Sequence, residues 1–406
     1  MLKKFIATSL LLGASSAFAG GLDLVVYGTP ASVATAGNSN LTNTDDGAIV
    51  MTNPAGMAFT DGDMFTSAFQ VLSLDLSFDD KGSTTGGGDG GKIGSDELMP
   101  TAYFIHHLDD QWTFGFGMNA HTGLSLEYND SWAGRYNIQS VTLTSVQLVP
   151  SLAYKVNDKL SLGAGLIIDY AIYEAEVAVD TNVPGDGKMK YEDEDWAFGF
   201  TLGMMYQITD ATRIALTYIS EIEHEFQDRP KFYNTPAGDV IGGIIDRVDL
   251  DMNIPQMVKF GISHELNEDW KLYGSASWEE WSRFGEIAVG SGAGSVDADR
   301  NLNDTYGFGL GAAYKLNEDW TLMCGYRFDS SIVDKEDMTA DLPSDEIHRY
   351  GLGAEYQYSE NMTMGFGYSY VDLGNPQLEQ ESSGGTVKGE YDAAIHIATV
   401  GVNYWF

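Results

Sequence analysis

In three separate stretches of this chain every second residue is large and apolar, and those between are mostly glycine, alanine, serine or threonine. Met362, Met364, Phe366, Tyr368 and Tyr370 alternate with Thr363, Gly365, Gly367 and Ser369. Tyr306, Phe308, Leu310, Ala312 and Tyr314 alternate with Thr305, Gly307, Gly309, Gly311 and Ala313. Trp196, Phe198, Phe200, Leu202, Met204 and Tyr206 alternate with Ala197, Gly199, Thr201, Gly203 and Met205. A strand sends successive side chains to opposite faces, so each stretch has one greasy face and one small face. A soluble sandwich would bury the greasy face and charge the other. Glycine weakens a strand, so its repeated use needs a reason. A barrel in lipid supplies one: the large residues meet acyl chains and the small ones leave room in the lumen.

The N-terminus agrees with export. Lys3 and Lys4 precede an apolar run from Phe5 to Gly13, and Ala17-Phe18-Ala19 follows. This is the pattern of a secretory signal peptide with cleavage expected after Ala19. The run is too short to remain as a membrane helix, and no later stretch offers about 18 continuous apolar residues. The 406 residues carry 22 Lys+Arg against 59 Asp+Glu, a formal net charge of -37. Phosphate contacts need basic residues, so nucleic acid is excluded as a partner. The single cysteine, Cys324, forbids an intrachain disulfide and is expected to be a buried small side chain in a strand.

Short polar turns recur at Leu108–Gln111, Val156–Asp158, Thr209–Ala211, Leu266–Asp269, Leu316–Asp319 and Ser359–Asn361. Longer loops are expected near 79–96, 129–138, 181–193, 227–247, 284–302, 334–345 and 374–389. Six short turns and seven long loops join 14 strands, the even count of an outer-membrane barrel with both ends in the periplasm. Trp112, Trp196, Trp270, Trp320, Tyr356, Tyr404 and Trp405 stand near strand ends, as aromatic girdles do. The chain ends on Phe406, a terminal aromatic of the kind read by the outer-membrane assembly machinery.

Tyr27 to Met57 has no strand alternation. It is small and polar, and near its end Asn53-Pro54-Ala55-Gly56 fits a type I turn. With a barrel following, such a segment is expected to fold inward. The fold class is therefore all-β: a 14-stranded antiparallel transmembrane barrel over 63–406, an N-terminal hatch (plug) over 20–62 in its lumen, and a leader over 1–19. Among the loops, Val240, Ile241, Ile244 and Ile245 mark one face of a short helix, with Phe232 and Tyr233 before it. That face either packs on the loop layer or receives a hydrophobic ligand. The acidic loops read as solvated surface or as a divalent-cation bridge to lipopolysaccharide, although no calcium-loop spacing occurs. No nucleophile elbow, zinc-protease or P-loop motif is present, and His106 and His107 point to opposite strand faces. No catalytic residue, metal site or cofactor is assigned.

These motifs resemble the FadL-type family (OmpP1/FadL/TodX) of Gram-negative outer-membrane transporters. The resemblance rests on Asn53-Pro54-Ala55-Gly56, on Gly123 to Gly134, on Ala215 to Glu221 and on Met252 to Met257. Trp278 to Phe284 and Arg327 to Ser331 extend it. It implies passive uptake of hydrophobic small molecules by a monomeric barrel, long-chain fatty acids first and neutral aromatic hydrocarbons as the alternative. A structural or adhesin barrel without transport is the other class of reading. The resemblance also implies capture among the loops, a lumenal pocket near the hatch, and sideways exit where strand three kinks inward at the position of Gly123. Gly123 alternatively ends the membrane-spanning part. The implied gating and binding residues are Asn53, Pro54, Ala55, Gly123, Phe232, Val240, Ile241, Ile244 and Ile245. This chain departs from the pattern in a short loop after strand five and in Val177, which stands where fatty-acid members offer a basic group; Arg135, Arg283, Arg300 and Arg327 are the substitutes.

Overall fold

A computed structural model of the chain describes residues 27–180, 185–235, 248–284, 286–291, 294–382 and 384–406. The leader expected over 1–19 lies outside them. Fourteen strands form one antiparallel barrel. They are β1 (Met64–Asp80), β2 (Asp96–His107), β3 (Trp112–Glu127), β4 (Ser140–Lys155), β5 (Leu160–Val179), β6 (Gly187–Thr209), β7 (Thr212–Ile219), β11 (Met257–Glu265), β12 (Trp270–Glu279), β15 (Thr305–Lys315), β16 (Trp320–Asp329), β17 (Ile347–Ser359), β18 (Met362–Asp372) and β20 (Gly385–Trp405). Each pairs with the next in the series, and β1 closes on β20 from Met64↔Trp405 to Asp80↔Gly389.

The expected alternation sets the two faces. Phe198, Phe308, Leu310, Leu352 and Phe366 are exposed outward, while Gly307, Gly311, Gly367, Thr201 and Ser369 face the filled interior. Cys324 is exposed, not buried as expected, because it shares the outward parity of Leu322 and Tyr326 on β16. All six short turns fall where expected, and four share one device. The side-chain oxygen of Asp109, Asn157, Asn267 or Asn317 accepts the backbone N–H groups two and three residues on, at 2.8–3.0 Å. These Asx turns fix the hairpin register locally. Beside three of these turns a Trp packs on a cross-strand Tyr: Trp112–Tyr154, Trp270–Tyr314 and Trp320–Tyr356, with ring centroids 4.6–4.9 Å apart. They form the aromatic girdle of that rim.

The long-loop end is more ordered than the loop ranges suggest. Of the loop expected over 181–193, residues 187–193 belong to β6, because β5 and β6 continue as one long hairpin. The region expected as loop over 374–389 holds the hairpin of β19 (Gln377–Ser382) with β20. A second sheet orders β8 (Ile222–Asp228), β10 (Val248–Ile254), β13 (Glu286–Ser291) and β14 (Gly294–Asp299) as β14-β13-β10-β8. It begins where the β7–β11 hairpin breaks at Ser220–Glu221 and Pro255–Gln256; Pro255 has no N–H to continue the ladder. As β8 bends away from β6, Asp193 and Asp195 accept its backbone N–H groups at Gln227 and Glu225. The acidic residues expected in a loop are thus part of this hinge. An apolar core including Leu74, Phe78, Trp132, Tyr128, Leu250, Trp281 and Tyr391 fills the long-loop end, with Tyr128 stacked on Trp132 at 3.6 Å.

Phe308 and Phe366 are 57% and 50% exposed on the outer face. Phe308→Arg or Phe366→Arg is expected to lower folding stability in lipid vesicles by about 2–4 kcal/mol if near the midplane. Urea titration in vesicles reads the change, and an unchanged midpoint would remove these residues from the lipid face.

Candidate functional site: a filled lumen beside a lateral window

The segment Tyr27–Thr60 is almost wholly buried against the inner wall. It contains α1 (Pro30–Ala34), capped by Thr29, then α2 (Ile49–Thr52) and a 3-10 turn over Pro54–Phe59. Most of its backbone is irregular, so its polar groups need partners other than their own helices. The wall supplies them. Hydroxyls of Tyr103, Ser151, Ser161 and Thr399 donate to the carbonyls of Tyr27, Val50, Ala55 and Gly28 at 2.5–3.2 Å. Two asparagines return the bonds. Asn38 Nδ2 donates to the carbonyls of Leu310 and Tyr326 at 3.0 and 2.9 Å, and Ser275 Oγ donates to its Oδ1 at 2.6 Å. Asn53 Nδ2 donates to the carbonyls of Leu41 and Met204 at 3.1 and 3.3 Å.

Asn53 also caps the 3-10 turn, accepting from Ala55 N at 3.3 Å, and Gly56 N donates to Asn53 O at 2.9 Å. The turn expected at Asn53–Gly56 therefore forms. Its seat requires bare wall. A Cβ on Gly163 would lie 2.3 Å from Ala55 N, and one on Gly325 would lie 2.1 Å from Thr35 O. Of the inward glycines in the alternating stretches, Gly203, Gly309, Gly311, Gly365 and Gly367 also face this segment.

Within the segment Asp46 is a buried carboxyl. It accepts from Thr29 Oγ1 and, at 2.9 Å, from Ala48 N. Burial pushes its pKa from 3.8 up to about 6 against these two hydrogen bonds, and the neighbouring Asp45 adds to the rise.

The seam between β2 and β3 is interrupted. The β2–β3 ladder runs from His107↔Thr113 to Thr101↔Asn119 and stops, while β2 stays paired with β1 to Ser73↔Asp96. Pro100, which has no N–H, stands at the break. On the other side β3 shifts register against β4 between Ala120 and Thr122, with His121 the extra residue of a bulge. Above the break β3 is tied back: Glu127 N donates to Ile93 O at 2.9 Å, and Ser125 N to Ser95 Oγ at 3.3 Å. The result is a window framed by Asp96–Pro100 on β2 and the backbone of 120–124 on β3, roughly 16 Å tall at about 3.3 Å per strand residue. Gly123 lies on its rim, paired with Thr144 and two residues past the bulge.

Between the segment and the wall is a small cavity lined by Tyr27, Met51, Val149, Ile167, Ile254 and Lys259, among others. Its void of about 20 Å³ has room for about one water, so a larger guest requires the lining to move. Lys259 is the one basic side chain in that lining, 3.9 Å from Glu279 Oε1. The alternation could have found it, since Lys259 shares the inward parity of Met257 and Gly261 on β11. The four arginines considered as substitutes all have carboxylate partners: Arg135 with Asp186, Arg283 with Glu221, Arg300 with Asp341 and Arg327 with Asp329. Val177 is buried, and Phe232 packs half-buried on the upper core. Val240, Ile241, Ile244 and Ile245 lie outside the described residues.

Two outcomes follow from the seat of the segment. Gly163→Val and Gly325→Val are expected to displace the segment while the barrel still forms. Steady ion conductance in a planar bilayer should rise over wild type, and an unchanged trace would show that the wall tolerates a side chain there. The raised Asp46 pKa means that the seated segment is favoured below about pH 4 and that this contribution is lost as pH rises through about 6. The loss is at most about 3 kcal/mol for a shift of this size. Hydrogen-exchange protection factors over 29–52, taken relative to the intrinsic rate at each pH, should therefore be higher at pH 4.5 than at pH 7.5, with the difference abolished in Asp46→Asn.

Known proteins share this architecture. A solved FadL homologue of Pseudomonas aeruginosa superposes with a TM-score of 0.85 at 21% identity, covering 93% of this chain and 98% of that one. The Pseudomonas putida toluene transporter TodX superposes at 0.72 with 19% identity, over 95% and 99% of the two chains. In sequence, a long-chain fatty acid transport protein of Salmonella typhi is 25% identical over 330 residues, 74% of this chain and 76% of its own. Outer membrane protein P1 of Haemophilus influenzae is 26% identical over 386 residues, 81% and 82% of the two chains. The family model for the outer membrane protein transport protein group (OMPP1/FadL/TodX) matches residues 10–406. This chain belongs to the OMPP1/FadL/TodX family of outer-membrane transport proteins.

Proposed function

We propose that this protein carries hydrophobic small molecules passively across the outer membrane, with long-chain fatty acids the leading substrate class. The observation that carries the reading is the window beside a plugged lumen. A plug blocks a straight aqueous route, and an interrupted seam at membrane height offers an apolar solute a way into lipid that avoids water. In this reading Tyr27–Thr60 is the hatch, with Asn53, Pro54 and Ala55 its pivot on the wall. Gly123 allows the window rim to bend, and Phe232, with the apolar residues 240–245, receives the ligand at the loop end. Lys259 meets the carboxylate of a fatty acid in the cavity. Lipid around the apolar band, lipopolysaccharide at the loops and the assembly machinery at Phe406 are the implied surroundings. No energy source is needed, because a gradient and successive binding sites suffice.

Glu279 beside Lys259 supports a second reading, uptake of neutral aromatics, since it offsets the one basic group in the cavity lining. The relatives named as fatty acid and toluene transporters bracket the same pair of classes.

Uptake of a radiolabelled fatty acid and of toluene by cells expressing the protein separates these readings. Gly123→Trp is expected to reduce uptake severalfold while the barrel keeps its folded, heat-modifiable gel mobility. Normal uptake by that variant would sink the lateral route. Lys259→Met is expected to reduce fatty acid uptake alone, and an equal loss of toluene uptake would remove Lys259 from carboxylate recognition.

A further inference from the structure

The inner wall between cavity and window is not apolar. Asn119 on β3, Gln147 on β4 and Asp169 on β5 are consecutive cross-strand partners in one row. All three are buried, Asp169 at 0% exposure. Gln147 lines the cavity and donates through Nε2 to Asp169 Oδ2 at 2.8 Å. Asn119 belongs to the last rung of the β2–β3 ladder and so stands at the sill of the window. From above, His224 on β8 closes over the row. Its Nδ1 lies 3.1 Å from Asp195 Oδ2, its Nε2 lies 3.8 Å from Asp169 Oδ1, and its ring stacks on Phe226 with centroids 5.7 Å apart.

Three atoms of this group have no hydrogen-bond partner among the described residues: Asn119 Nδ2, Asp169 Oδ1 and His224 Nε2. A separation of 3.8 Å is too long for a hydrogen bond between the last two. With Nδ1 placed on Asp195, Nε2 of His224 faces Asp169 Oδ1 across 3.8 Å. Asp169 Oδ1 is thus left without a donor at hydrogen-bond distance, and an unmet buried carboxylate oxygen is expensive. The missing element is a donor. A carboxylate ligand offers none and is repelled by Asp169 and Asp195, and a hydrocarbon offers none either. A hydroxyl fits either end of the row, donating to Asp169 near the cavity or accepting from Asn119 at the sill.

Resting on the transport reading above, we infer that the row Asn119–Gln147–Asp169 with His224 is a subsite for an uncharged hydroxyl on an otherwise apolar ligand, an alkanol or a phenol, between cavity and window. The cargo class then extends past fatty acids and plain hydrocarbons to hydroxylated hydrophobic molecules.

The test titrates the full chain in lipid nanodiscs with p-cresol and p-xylene, which match in heavy-atom count and differ in the hydroxyl, and with octanoate; empty nanodiscs give the blank. Asp169→Asn removes the charged acceptor, and His224→Phe removes the ring nitrogen that faces it while keeping the stack on Phe226. In each variant the ratio of p-cresol to p-xylene affinity is expected to fall about tenfold, the scale of one hydrogen bond to a charged group. A ratio unchanged from wild type overturns the subsite and leaves the transport reading standing. Failure of all three probes to bind wild type overturns the transport reading, and the subsite with it. For the case in which both variants misfold, wild type is photolabelled with a diazirine placed next to the hydroxyl of octanol. Label on Asn119, Gln147, Asp169 or His224, displaced by p-cresol, supports the subsite, and label confined elsewhere overturns it.

Discussion

Lipid offers no hydrogen bonds, so every backbone N–H and C=O at membrane height must find its partner in the protein. That constraint sets most of this molecule. It forces β1 onto β20, because an open edge would be left bare. It also gives meaning to the interruption between β2 and β3. At Pro100 one donor is absent by covalent structure, and the bulge at His121 lets β3 depart from β2 at the same height. In the proposed function this unpaired stretch is the place for a lateral route.

The same constraint, moved inside, explains the segment from Tyr27 to Thr60. It is irregular, buried and polar, a combination that would be unstable alone. Wall hydroxyls and the paired amides of Asn38 and Asn53 satisfy it residue by residue. The bonds are reciprocal, so segment and wall complete each other. Where the segment passes closest to the wall, the inner side chain is reduced to a hydrogen.

Much of this was legible in the sequence because period and turn chemistry are local. The alternation at 305–314 and 362–370 requires no knowledge of neighbours, and neither do Asn267 and Asn317 in their turns. What was not legible depends on register between strands. Parity alone puts Cys324 outside, yet residue type suggested a buried place. Gly123 marks the right stretch of β3, but the break is defined by Pro100 on a different strand. Lys259, Asn119, Gln147 and Asp169 look like scattered polar residues until pairing aligns three of them in a row and the cavity gathers the fourth. The hairpin of β5 with β6 outruns its predicted loop because pairing continues to Val179↔Gly187, and within it Asp193 and Asp195 anchor the bend of β8.

The segment comes first in the chain, touches strands from β2 to β20, and sits inside a ring whose final joint is its own neighbour, β1, against the last strand, β20. A ring cannot be filled through its wall once that joint is made. The barrel is therefore wrapped around its contents, and hydrogen bonds from strands at both sides of the closing joint hold the segment in place.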